Sequence, residues 1–106
     1  MRYRFWGAVV LAGLWMAGAH AQPAADEGRK LFLTGATPAC ALCHTLKKAG
    51  ATGLIGPDLD ELQPDAARVE KAIRNGIGPM PAFKTLTDEQ IRTLARYVAS
   101  ATGAAP

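Results

Sequence analysis

Three chemically capable side chains stand within one run of five residues, Cys40-Ala41-Leu42-Cys43-His44. The chain has no other cysteine. A C-x-x-C pair followed at once by histidine has the spacing of covalent c-type haem attachment. Each thiol adds to one vinyl group of haem. Three positions of separation put both sulfurs on one edge of the flat macrocycle, and the next residue then points its imidazole under the iron. Other chemistries also use a C-x-x-C pair. A thioredoxin-like dithiol opens a helix after a buried strand, but Thr34-Gly35-Ala36-Thr37-Pro38-Ala39 before Cys40 contains no β-branched run. A closed zinc site needs four ligands, and beyond residue 21 only His44 adds to the two sulfurs. A disulfide between Cys40 and Cys43 would close too small a loop to stabilise the fold much.

Met80 follows His44 by 36 residues, inside Gly76-Ile77-Gly78-Pro79-Met80-Pro81-Ala82-Phe83. Methionine is ordinarily a filler of apolar cores. Here prolines on both sides exclude regular helix and stiffen the direction of the sulfur. Met80 is therefore the expected second axial ligand, opposite His44. Such ligation raises the potential of a haem. It also fills both axial positions, which predicts electron transfer and no enzymatic activity.

Helices and loops must hold these residues. The first helix is expected from about Asp26 to Leu33, with Asp26 as N-cap and Gly35 as its stop. Gly28 and Phe32 then share one face. The second is expected over Asp65–Asn75, where Val69, Ala72, Ile73 and Gly76 follow helical spacing. The third is expected over Asp88–Ala101, opened by a Thr87/Gln90 capping box and striped by Ile91, Leu94, Ala95 and Val98. A short helical turn over Ala41–Lys47 is expected to carry the haem motif. No strand pattern is visible. The linkers 48–63 and 76–86 are long for so small a domain, as befits segments that wrap a large flat ligand.

The N-terminus reads as an export signal. Arg2 and Arg4 precede an uncharged apolar run from Phe5 to Ala19, and Ala19-His20-Ala21 supplies small residues for cleavage. The run has 15 residues, against about 20 for a membrane span. Residues 1–21 are expected to be removed, leaving one domain over 22–106. That segment carries two of the 12 basic residues and none of the nine acidic ones. The remainder is nearly neutral, without the basic surplus of a nucleic-acid binder. At this length a chain builds a thin core and commonly needs a staple or cofactor.

Taken in order, Cys40-Ala41-Leu42-Cys43-His44, Gly56-Pro57-Asp58-Leu59 and Gly78-Pro79-Met80-Pro81-Ala82-Phe83 resemble the motifs of small bacterial class I c-type cytochromes. A terminal helix with Leu94 and Tyr97 completes the likeness, which spans about residues 26–103. It implies an all-α cytochrome c fold, with three main helices and a short attachment helix wrapped around one covalent haem c. The Pro57 carbonyl would bond the ligand His44 and raise its basicity. Gly28 and Phe32 would meet Leu94 and Tyr97 where the terminal helices cross. The implied function is soluble periplasmic one-electron transfer by a monomer, between a dehydrogenase and an oxidase or peroxidase. Pro38 through Met80 is also similar to small cytochromes that accept electrons from molybdenum-containing sulfite dehydrogenases. Lys47, Lys48 and Lys84 flank the expected haem edge, with Ala39, Leu42, Pro79, Pro81 and Ala82 as an apolar rim for transient docking. Two other functions use the same haem: a fixed subunit of an oxidoreductase complex, and a haem that releases Met80 to bind gas or peroxide.

Overall fold

The computed structural model describes residues 3, 7–10, 12, 13 and 23–106. The expected export signal lies mostly outside the described residues. Among those described, no helix is long and apolar enough to cross a membrane.

Helix α1 spans Pro23–Lys30 and runs on into a wider π-helical turn, Leu31–Gly35. It starts earlier than expected because proline suits the first helical turn, where its missing N–H is no loss. Asp26 is therefore not the N-cap. It lies in the first turn, where a carboxylate complements the positive end of the helix dipole. The π turn closes with the Ala36 N–H donating to the Leu31 carbonyl at 3.0 Å. Within it the adjacent Leu31 and Phe32 are both buried.

The helical turn expected over Ala41–Lys47 is instead two 3-10 turns, Cys40–Leu42 and Lys47–Ala49, with an extended segment between them. That segment, β1 (Thr45–Leu46), pairs antiparallel with β2 (Ala51–Thr52), Thr45 facing Thr52 and Leu46 facing Ala51. Two-residue strands are too short to show an alternating pattern, which is why none was visible. The Thr45 hydroxyl adds a bond to the Gly53 carbonyl at 2.9 Å. These cross-links hold the chain extended just after the histidine.

A further short helix, α2 (Leu59–Leu62), lies inside the expected 48–63 loop. Asp58 caps it, accepting from the Asp60 N–H at 2.9 Å. Helix α3 spans Ala66–Asn75 behind its cap Asp65. Helix α4 spans Asp88–Ala101 and opens with the expected capping box: Thr87 Oγ1 accepts from the Gln90 N–H at 3.1 Å, and Gln90 Oε1 from the Thr87 N–H at 2.9 Å.

Helix α4 packs against both α1 and α3. The α1–α4 crossing depends on Gly28. A Cβ there would collide with Tyr97 Cβ and come within 2.8 Å of its Cγ. Phe32 and Tyr97 meet edge to face, with centroids 6.3 Å apart. The Tyr97 hydroxyl is buried and finds no partner among the described residues, and that burial raises its pKa above the ordinary phenol value. Across α3 and α4, Arg74 bonds Glu70 at 3.0 Å and Asp88 at 2.7 Å. The remaining core consists of Leu31, Phe32, Leu46, Leu59, Ile73, Phe83, Leu86, Ile91, Leu94 and Val98. Elements from both halves of the chain thus converge on one apolar interior, open on one side.

Candidate haem site

That opening is a cavity of about 360 Å³, within the roughly 300–1,000 Å³ of ordinary cofactor pockets. Cys40, Cys43, His44, Pro57 and Met80 all line it. So do Phe32, Leu59, Val69, Ile73, Phe83 and Leu94, and among the described residues the only charged side chain in the lining is Arg68. The walls therefore suit a large apolar ligand.

His44 is held from two directions. Its Nδ1 lies 2.7 Å from the Pro57 carbonyl oxygen. A carbonyl only accepts, so Nδ1 carries the proton and donates. In the neutral ring Nε2 is then left with its lone pair, the form in which imidazole binds a metal. Gly56 forms the other side of the cradle. A Cβ at Gly56 would stand 2.6 Å from His44 Cε1 and 3.0 Å from Nδ1. The Gly56 N–H in turn donates to the Cys43 carbonyl at 2.7 Å. The segment after β2 is thereby tied to the backbone of the cysteine motif. Nothing in the spacing of Gly56 marks it as a support for the ring; only its place before Pro57 hints at that.

Cys40 and Cys43 are both free thiols. Burial, offset by a local backbone hydrogen bond and reinforced by the nearby Cys43, pushes the Cys40 thiol up to about 11. A catalytic dithiol needs the opposite, a thiolate favoured near neutral pH. Among the described residues no cluster of three or more Cys, His, Asp or Glu side chains is arranged to hold a metal ion. The dithiol and zinc chemistries therefore lack their supporting surroundings. Two thiols beside an apolar cavity, with an imidazole held next to them, fit a covalently attached haem.

Met80 sits at the end of a tight reversal. Ile77 and Met80 exchange backbone bonds, N–H to C=O, at 3.0 and 2.9 Å. Gly76, where α3 stops, has a φ of +70°. A Cβ there would stand 2.6 Å from the Met80 carbonyl oxygen. Only glycine meets both demands without strain. Beyond the reversal, the Phe83 N–H donates to the Ile73 carbonyl at 2.9 Å, and Phe83 itself is buried. The loop is thus anchored at both ends while Pro79 and Pro81 remain exposed. Of the expected docking rim, Leu42 is also exposed, whereas Ala39 and Ala82 are half-buried. Lys47, Lys48 and Lys84 are exposed. The Lys47 N–H is bound by Asp60 Oδ2 at 2.9 Å, which sets a carboxylate beside that part of the rim.

A helical shell, a C-x-x-C-H turn and a methionine loop around one apolar cavity define a c-type cytochrome. Comparison with known proteins agrees. The family described as cytochrome c oxidase, cbb3-type, subunit III matches residues 23–98. Cytochrome c-551 of Halorhodospira halochloris is 30% identical over 76 residues, covering 70% of this chain and 96% of that protein. The crystal structure of the c-type cytochrome SorU from Sinorhizobium meliloti superposes with a TM-score of 0.74 at 54% identity, covering 78% of this chain and 95% of that one. The chain belongs to the c-type cytochrome family, as a small monohaem member of class I.

Proposed function

We propose that this cytochrome is a periplasmic one-electron carrier, exported by residues 1–21 and working as a soluble monomer with residues 22–106 as its single domain. The observation that carries the proposal is the convergence of Cys40, Cys43, His44 and Met80 on one apolar cavity. Haem c, when bound, supplies an iron that alternates between ferrous and ferric states. Cys40 and Cys43 hold the macrocycle through thioethers. His44, through Nε2, and Met80 would supply the protein's two ligands to the iron. Pro57 orients the imidazole and strengthens it as a donor. The apolar walls exclude water and disfavour the more highly charged ferric site, so they raise the potential together with the thioether ligand. With both ligands supplied by the chain, the iron would offer no position to a substrate. This supports electron transfer rather than catalysis.

The donor we propose is a molybdenum-containing sulfite dehydrogenase, and the acceptor a terminal oxidase or peroxidase. The likeness of Pro38 through Met80 to cytochromes serving such dehydrogenases supports the donor, and the 54% identity to SorU is consistent with that likeness. A second reading, a haem-bearing subunit fixed in a larger complex, is favoured by one observation: the matching family is described as an oxidase subunit.

Intact mass and the spectrum of denatured holoprotein test the central assignment. One haem that survives denaturation, on a chain starting near Gln22, is the expected result. Free thiols and a colourless protein, after expression in a host able to attach haem, would refute it. Reduction of the ferric protein by a sulfite dehydrogenase with sulfite tests the donor. Size exclusion of native extract separates the carrier, which runs alone, from the fixed subunit.

A further inference from the structure

Among the described residues, Gln63 alone has a positive φ, +47°, without being glycine. Such backbone is uncommon outside glycine and persists where the surroundings over-determine it. Here two hydrogen bonds do so. The Gln63 N–H closes α2 by donating to the Leu59 carbonyl at 2.9 Å. Its side-chain Nε2 donates to the Thr102 carbonyl, also at 2.9 Å, across a separation of 39 residues. Thr102 caps the end of α4, where carbonyls lack partners within the helix. A second bond runs nearby. The N–H of Ala66, the first residue of α3, donates to the Ala105 carbonyl at 3.0 Å. The segment before α3 thus satisfies the end of α4, and the segment after α4 satisfies the start of α3.

What this clasp holds is a wall of the haem cavity. Pro64, between the two bonded residues, is buried and lines the cavity. Val69, Ala72 and Ile73 of α3 line it too. At the far end of α3, Arg74 bonds Asp88 at 2.7 Å. Helix α3 is therefore fastened to α4 at both ends, and its cavity-lining residues lie between the fastenings. We propose that Gln63 is a positioning residue for electron transfer: by binding the Thr102 carbonyl it keeps Pro64 and the start of α3 closed over the haem, excludes water from that wall and so holds the potential of the iron up. Burial is one of the levers by which a protein sets that potential, because it disfavours the more highly charged ferric site. The proposal rests on the haem assignment above and deepens it.

Two substitutions each remove one bond of the clasp without changing charge. Gln63→Gly deletes the amide and suits the positive φ. Ala66→Pro deletes the N–H at the first helical position, where proline is tolerated. Asp65 before it, with φ −70° and ψ 166°, already has the extended backbone that a following proline demands. Holoprotein of each variant, and of the two combined, is titrated spectroelectrochemically and unfolded by heat. At the wild-type midpoint, the ferrous-to-ferric ratio is expected to fall about threefold in each single variant, because a wetter wall favours ferric iron. On the one-electron scale of about 59 mV per tenfold change, that is roughly 28 mV. The double variant should fall hardly further, since breaking either bond opens the same clasp and coupled contacts do not add. A clasp serving stability alone would lower Tm and leave the ratio of the coloured variants at its wild-type value, which would overturn the proposal. Shifts that add in full would make the two bonds independent and overturn it as well. A colourless wild type would instead remove the haem assignment beneath it.

Discussion

Replacing Gly56 by alanine perturbs His44 and little else. The new Cβ would stand 2.6 Å from Cε1 and 3.0 Å from Nδ1 of the imidazole. Carbon contacts settle at about 3.5–4.0 Å, so the ring has to retreat by about 1 Å. The Nδ1–Pro57 distance of 2.7 Å then exceeds the range of an effective bond, which ends near about 3.2 Å. Overpacking of this kind costs about 1–3 kcal/mol, and the lost hydrogen bond adds about 1 kcal/mol. A total of about 2–4 kcal/mol corresponds to a Tm lowered by roughly 10–25 °C in a domain of this size. The potential should move as well. The Pro57 bond makes the imidazole a stronger donor and so favours ferric iron; losing it raises the midpoint potential. The assay is thermal unfolding of ferric holoprotein, with redox titration of the same sample. An alanine variant with wild-type Tm and midpoint would refute the claim that Gly56 and Pro57 together set the imidazole.

Three further outcomes follow from separate parts of the molecule. Gly28→Val forces α1 off Tyr97 and should lower Tm by roughly 5–20 °C through about 1–3 kcal/mol of overpacking, while leaving the midpoint potential unchanged; a shifted potential would mean the crossing and the haem pocket are coupled. Arg74 holds the Asp88 carboxyl below the usual carboxylate range by a hydrogen bond and by charge, so this pair stabilises the fold above the unfolded pKa of about 3.9 and loses that effect as pH falls through the lower folded value. Because the Asp88 side chain is 71% exposed, the effect is small: Asp88→Asn should be slightly less stable than wild type at pH 7 and match it in strong acid, and an equal gap at both pH values would refute the pairing. Electron transfer with the physiological partner should slow with added salt and slow further in Lys48→Glu; a rate independent of salt would remove the lysines from docking.

The parts legible in the sequence are those encoded by local chemistry. Thr87 and Gln90 announce the start of α4, and Asp65 that of α3, because caps bond backbone groups two or three residues away. Cys40, Cys43 and His44 carry their spacing in plain view. Less visible is whatever depends on contacts across the chain. Whether Thr45–Leu46 is helical or extended is decided by Ala51–Thr52 and Gly53, and no residue within the pair records that. The start of α1 is ambiguous in the sequence because Asp26 and Pro23 both carry helix-start signals, and in the fold the proline prevails. Gly56 and Gly76 are meaningful only beside His44 and Met80, and Gln63 only beside Thr102.

The two proposed ligands are supported by different kinds of architecture. On the histidine side, the ring is bonded to Pro57, and the Gly53–Pro57 segment is bonded to the cysteine motif through Gly56 and Thr45. The cysteines themselves would be covalently fixed. Displacing His44 therefore means breaking several contacts between segments at once. On the methionine side, the two bonds of Met80 are to Ile77, within its own turn. They travel with the loop if it moves. What holds that turn to the body is the Gly76 close approach and the Phe83–Ile73 bond, and its tip is exposed. Local opening follows the least interconnected segment, so the Met80 loop is expected to yield first. The same loop carries the exposed Pro79 and Pro81, with Lys84 just beyond. A partner docking there would bear on the weaker of the two axial supports. If the expected docking rim is where electrons are exchanged, it is thereby also the surface through which a partner would influence the potential.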